Sequence, residues 1–128
     1  MPHLVLQYSA NLGSPIDLAG LFRELHDRLS AVADVAIGNF KSRAQRQSDV
    51  LVGDGSPANA FVHLDISLLT RPAEARAAIA EAALQVLKSR LAPALAGLDT
   101  HLTVHVHDLD PKVYRKAVVG PSAAQVKP

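Results

Sequence analysis

The sequence predicts an α/β (α+β) fold: a tandem βαβ repeat in which two helices cover one face of a four-stranded mixed sheet. Three observations carry this. Apolar and polar residues alternate at period two over 60–68 and 101–107, the signature of strands with two unlike faces. Apolar residues recur at helical spacing over 18–32 and again over 79–91. The order strand, helix, strand occurs twice, and each half, about 2–46 and 59–107, has the length of one βαβ unit, a crossover that is right-handed in nearly all cases. The halves repeat in pattern and share little side-chain identity. The 128 residues fit one domain, with a tail over 108–128.

The first strand is Leu4-Val5-Leu6, preceded by Met1-Pro2-His3. Asn11-Leu12-Gly13-Ser14-Pro15 is a turn-rich link, and Ser14 before Pro15 reads as an N-cap with proline at the first helical position, backed by Asp17 three residues on. Leu18, Leu21, Phe22, Leu25, Leu29 and Val32 form the inward stripe of the first helix, with Arg23, Glu24, Asp27 and Arg28 between them. Val35, Ile37 and Phe40 begin a second extended segment that runs to Arg46. Between Gln47 and Asn59 a hairpin-like excursion is expected, with Val50-Leu51-Val52 as a short edge strand and Asp54-Gly55 as a turn.

Ala60, Val62, Leu64, Ile66 and Leu68 mark the third strand. Pro72 opens the second helix, whose buried stripe is Ile79, Ala83, Val86, Leu87 and Leu91 among alanines of high helix propensity. Pro93 should end or kink it, with Gly97 as the final stop. Leu102, Val104 and Val106 form the last strand; beyond it the first part of the tail docks and its last residues are loose. The helix-free sheet face then carries His63, Asp65, Ser67, Thr103, His105 and Phe61. That mixture suits a subunit interface, hence a closed homo-oligomer, better than an ordinary solvated face.

Composition narrows the function. Apolar residues make up 48% of the chain and mean hydropathy is +0.13, enough for a core, which 4% aromatics leave to Leu, Val, Ile and Ala. Thirteen basic and twelve acidic residues nearly cancel, which argues against nucleic acid or an anionic membrane as partner. The absence of cysteine removes disulfides, thiolate metal ligands and thiol nucleophiles. No basic start leads into a long apolar run and no 18-residue apolar stretch occurs, so a soluble cytoplasmic protein is expected.

Pro2 is the candidate catalytic residue. A small second residue lets the initiator methionine be trimmed, leaving a secondary amine fixed at the mouth of a strand. A terminal amine titrates about two units below a lysine side chain. Burial and neighbouring cations lower it further, toward the range where a general base works best. The bland alternative is a proline placed there by chance. His101, His105 and His107 share a strand face, and imidazole is a common zinc ligand. With no cysteine and no evident carboxylate to join them, they read as hydrogen-bonded histidines of a polar face, and no metal is expected.

Together these features resemble the tautomerase superfamily, and most closely the 5-carboxymethyl-2-hydroxymuconate Δ-isomerase family. The resemblance is carried by Pro2-His3-Leu4-Val5-Leu6-Gln7-Tyr8-Ser9-Ala10-Asn11, by Asp17-Leu18-Ala19-Gly20-Leu21-Phe22 and by Ala60-Phe61-Val62-His63-Leu64. A weaker echo lies in Leu109-Asp110-Pro111 with Tyr114-Arg115-Lys116, so the likeness spans about 2–116. It implies a tautomerase-like homotrimer that catalyses a cofactor-free 1,3-proton shift in a dienol acid during breakdown of homoprotocatechuate-type aromatics. The base is the N-terminal proline nitrogen, and arginines bind the substrate carboxylates.

Carried onto this chain, the first arginine position is occupied by Lys41, with Arg43 two residues on and on the same strand face. A lysine supplies a point charge without the bidentate fork of arginine. The second arginine matches Arg71 if one residue of the preceding loop is deleted. Lys41, Arg43 and Arg71 are therefore the expected binding residues for a small-molecule carboxylate substrate. Tyr114, Arg115 and Lys116 would reach a neighbouring subunit's site, and His3 would line the pocket. The alternatives on the same scaffold are a phenylpyruvate-like keto–enol tautomerase or a hydratase, and a non-catalytic trimeric binding protein.

Overall fold

The structure is a computed structural model that describes residues 1–121; the expected loose end of the tail lies outside them. Its elements are β1 (His3–Ser9), α1 (Leu18–Ala33), a 3-10 turn (Ile37–Asn39), β2 (Lys41–Gln47), β3 (Asn59–Leu69), α2 (Ala73–Leu95) and β4 (Asp99–Leu109). The strands form one mixed sheet in the order β2-β1-β3-β4. β1 runs parallel to β2 and antiparallel to β3, and β3 runs parallel to β4. The two βαβ halves thus meet along β1 and β3, where Leu4 faces Ile66 and Leu6 faces Leu64.

Alternation decides the two faces. Leu4, Leu6, Val62, Leu64, Ile66 and Leu68 point toward the helices and are almost wholly buried. They pack with Leu21, Leu25 and Leu29 of α1 and with Ile79, Ala83, Val86, Leu87 and Leu91 of α2. Burying a Leu- or Ile-sized side chain contributes about 1.5–3 kcal/mol, so this seam drives the docking of helices on sheet. No helix among the described residues is long and apolar enough to cross a membrane.

Several boundaries differ from the sequence reading. Asp17, not Ser14, caps α1: its carboxylate accepts the Gly20 N–H at 3.1 Å. The chain before it is held elsewhere, because Gly13 N–H donates to the Ala94 carbonyl at 2.8 Å. The α1 stripe ends on buried Ala33, while Val32 faces outward, 39% exposed. The extended segment expected from Val35 is instead a 3-10 turn, closed by Asn39 N–H on Ala36 O and Phe40 N–H on Ile37 O, and β2 starts only at Lys41.

Val50–Val52 forms no strand. β2 is already the sheet edge, Leu51 is exposed, and the Val52 carbonyl is taken by the Asn59 side chain at 3.0 Å. α2 runs through Pro93 to Leu95, because the proline sits in the last turn and removes one hydrogen bond at a fraying end. Gly97, at φ 80, makes the expected stop.

Candidate active site

The site forms where the amino end enters β1, between β2 and β3. Pro2 is buried, and its carbonyl accepts the Lys41 N–H at 3.1 Å, which continues the β1–β2 ladder and fixes both residues side by side. The terminal amine here is that of Met1. It is buried and donates to the Asn39 carbonyl at 3.0 Å. The Lys41 ammonium donates to the same carbonyl oxygen, and the Lys116 ammonium donates to the Asn39 side-chain oxygen at 2.7 Å.

Asn39, 4% exposed, therefore gathers three nitrogen donors, two on its backbone carbonyl and one on its side-chain oxygen. Burial is the main reason the amine is pushed down from 8.0 to about 5, and the charges of Lys41 and Lys116 add to it. An amine so placed is unprotonated at neutral pH, with cations beside it.

Two hollows flank this point. One, of about 230 Å³, is lined by Met1, Pro2, Asp34, Asn39, Leu69 and Arg71. The other, of about 260 Å³, is lined by Met1, Leu69, Pro111, Tyr114, Arg115 and Lys116. Larger cavities lie elsewhere: two of about 420 Å³ by the 48–59 loop and by 8–16, and one of about 380 Å³ along α1, where Arg90 is paired with Asp17 and Glu24. The first has no ionisable side chain and the second only Tyr8 and Arg46, so neither offers acid–base chemistry beside an anion site.

The expected residues divide. Pro2 and Lys41 adjoin, and Arg71 stands across the smaller hollow, its guanidinium donating to the carbonyls of Leu69 at 3.0 Å and Ala33 at 3.5 Å. Arg43 faces the same side of the sheet as Lys41 but lies beside Val5, exposed; its charge reaches His3. His3 accepts or donates at the Tyr114 hydroxyl over 2.9 Å, and burial first, then Lys41 and Arg43, lower its pKa. Within the single chain, Tyr114 and Lys116 turn back onto the chain's own amino end.

Asn39 was absent from the sequence reading of the site, although it is the lone polar side chain between Ile37 and Phe40. Lys116, expected to reach a neighbouring subunit's site, meets Asn39 of its own chain. On the open sheet face His63 and His107 are hydrogen-bonded through Asp65, which the strand pattern put on that face without its register. Asp65 Oδ1 accepts from His107 Nε2 at 2.6 Å and from His63 Nε2 at 3.0 Å.

Comparison with known proteins bears on the family and the fold. The family model for 5-carboxymethyl-2-hydroxymuconate isomerase matches residues 2–119. The 5-carboxymethyl-2-hydroxymuconate Delta-isomerase of Escherichia coli is 25% identical over 112 residues, 87% of this chain and 89% of the relative. The crystal structure of a 5-carboxymethyl-2-hydroxymuconate isomerase from Deinococcus radiodurans R1 superposes with a TM-score of 0.79 at 30% identity, covering 90% of this chain and 87% of that one. A fused 4-OT wild-type symmetric trimer shares the fold at a TM-score of 0.70 and 20% identity, over 95% of this chain and 98% of its own.

Proposed function

Because this chain belongs to the 5-carboxymethyl-2-hydroxymuconate isomerase family and is an isomerase, we propose that it moves a proton within an enol or dienol carboxylic acid of the 5-carboxymethyl-2-hydroxymuconate kind, with the Pro2 nitrogen as general base. The observation that carries this reading is the buried amino end next to Pro2, where the terminal amine meets the Asn39 carbonyl beside the Lys41 and Lys116 ammoniums, surroundings that lower its pKa. Removal of Met1 transfers the free amine to Pro2. Met1 lines both hollows, so its removal enlarges the space beside that nitrogen.

The proton leaves one end of the conjugated system for the proline nitrogen and returns to the other end, so neither a cofactor nor a net proton is needed. Arg71 lines the first hollow and Lys41 is laddered beside Pro2, and the two hold the substrate carboxylate; Arg43, one pleat further along β2, extends the positive field. A single cation about 4 Å from a carboxylate supplies about 4 kcal/mol at an effective dielectric near 20. Charge that develops on the substrate oxygens in the transition state strengthens the same contacts.

Assembly as a homotrimer fits the open sheet face, and the similarly folded fused 4-OT structure is a symmetric trimer. The place of work is the cytoplasm, in breakdown of aromatic compounds. The test is a panel of 5-carboxymethyl-2-hydroxymuconate, simpler dienol acids and phenylpyruvate-like keto acids given to Met-free protein. Turnover of the dicarboxylic dienol above the others supports the reading; turnover of the keto acids alone replaces the substrate, and no turnover of any member overturns it.

A further inference from the structure

We propose that the open face of β3 and β4 carries a binding site for a zinc-class dication, formed by Asp65, His105 and His107. One ligand atom from each of these residues lies within 4.8 Å of the other two. The backbone sets this up. Asp65 and His105 are direct register partners on adjacent parallel strands, and His107 is the next residue along that face of β4. Two imidazoles at i and i+2 plus one carboxylate from the neighbouring strand give a three-point donor set of the N and O type zinc takes. A tetrahedral ion at about 2.0–2.2 Å from each ligand sets the donor atoms roughly 3.4 Å apart, so the Asp65–His107 pair, now at 2.6 Å, opens to admit it.

The chemistry of the cluster suits an ion. The ionised Asp65 carboxylate only accepts, so His107 Nε2 and His63 Nε2 each present a proton to the same oxygen. Two protons thus converge where one dication would sit. His107 becomes a ligand by carrying its proton on Nδ1 instead, with no net proton lost. His105 packs its ring edge-on to that of His107, centroids 4.0 Å apart, and makes no hydrogen bond among the described residues, so its lone pair is available.

His63 supplies the support that a metal carboxylate needs. Its Nδ1 meets the Thr103 hydroxyl at 2.6 Å, which locks the ring, and its Nε2 steadies Asp65. The site is built within one chain and stands apart from the proposed isomerase chemistry: its residues line neither hollow at the amino end. Of the two sequence grounds against a metal here, no cysteine and no evident carboxylate, the sheet register removes the second.

The test uses untagged, chelator-treated protein, titrated calorimetrically with zinc and spectroscopically with cobalt. Expected are one ion per chain, a cobalt absorption spectrum typical of four-coordinate sites, and a rise in Tm with added zinc. His105→Asn and Asp65→Asn should each weaken binding at least about tenfold. His101→Ala, on the same strand but outside the cluster, should leave it unchanged. Circular dichroism confirms that each variant is folded. Binding that is equal in wild type and the His105→Asn variant, or lost equally with His101→Ala, overturns the proposal, as does no binding by the wild type.

Discussion

The Lys116 ammonium donates to the Asn39 side-chain oxygen at 2.7 Å, joining residues 77 positions apart beside the chain's amino end. This contact makes the segment after β4 a wall of the site. It also places a second ammonium near the terminal amine, on the opposite side of Asn39 from the carbonyl that Lys41 and the amine share.

Replacing Asn39 by Asp should therefore change the titration of the amine more than the fold. A carboxylate at that point favours the protonated amine, and an opposite charge within about 4–6 Å raises such a pKa by about one unit or more. The acid limb of the pH–rate profile should move to higher pH. A limb that stays in place in a folded Asn39→Asp protein would count against Asn39 as the organiser of the site.

Lys41→Ala removes a cation that helps hold the amine down. The amine pKa should rise toward the ordinary 8.0, and KM for a carboxylate substrate should rise about tenfold or more, equivalent to about 1.4 kcal/mol. Arg71→Ala should raise KM as well, with a smaller effect on the acid limb, because the Arg71 guanidinium is turned to the carbonyls of Leu69 and Ala33 whereas the Lys41 ammonium shares the Asn39 carbonyl with the amino end. Steady-state kinetics across pH separates the two variants; identical profiles contradict the assignment.

Stability should fall on mild acidification, in part through His26. Its ring, partly buried beside Phe40 and bonded to the Ser42 hydroxyl at 2.7 Å, has a pKa lowered from 6.5, chiefly by burial. The unfolded chain thus takes up a proton around pH 6.5 that the folded chain refuses until lower pH, so this group favours unfolding as pH drops through that window. Urea midpoints at pH 7.5 and 5.5 should differ less in His26→Gln than in wild type. An equal difference would remove His26 from the account.

Leu64 is fully buried at the β1–β3 seam, whereas Leu51 is 81% exposed on the 48–58 loop. Leu64→Ala should cost about 3 kcal/mol of unfolding free energy. Leu51→Ala should stay within about 0.5 kcal/mol. Urea denaturation reads both, and a large loss at Leu51 would mean that the loop packs in a way the structure lacks.

The strands and helices were legible wherever one face is buried over several repeats, as in Ala60 to Leu68 or Leu21 to Leu29, because burial imposes the period. Boundaries set by a single distant hydrogen bond were not. Ser14-Pro15 has every local mark of a helix start, yet the Gly13 N–H is committed to Ala94 and the helix waits for Asp17. The same holds for the site. Pro2, Lys41 and Arg71 were visible from the amino-terminal motif and the family resemblance, while Asn39 and Lys116 reach the amine through a turn and a tail whose positions no local pattern encodes. The strand pattern put Asp65 on the face of the histidines, but its pairing with them needs the register of β3 against β4, which spacing does not give.

The central claim is that a free Pro2 nitrogen does the chemistry, and it is tested most directly by comparing two forms of the same chain separated by intact mass. Protein lacking Met1 should isomerise the dienol acid, whereas protein retaining Met1, in which the proline nitrogen is an amide, should keep less than about 1% of that rate, since loss of a general base costs about a hundredfold or more. Equal rates in the two forms would contradict it.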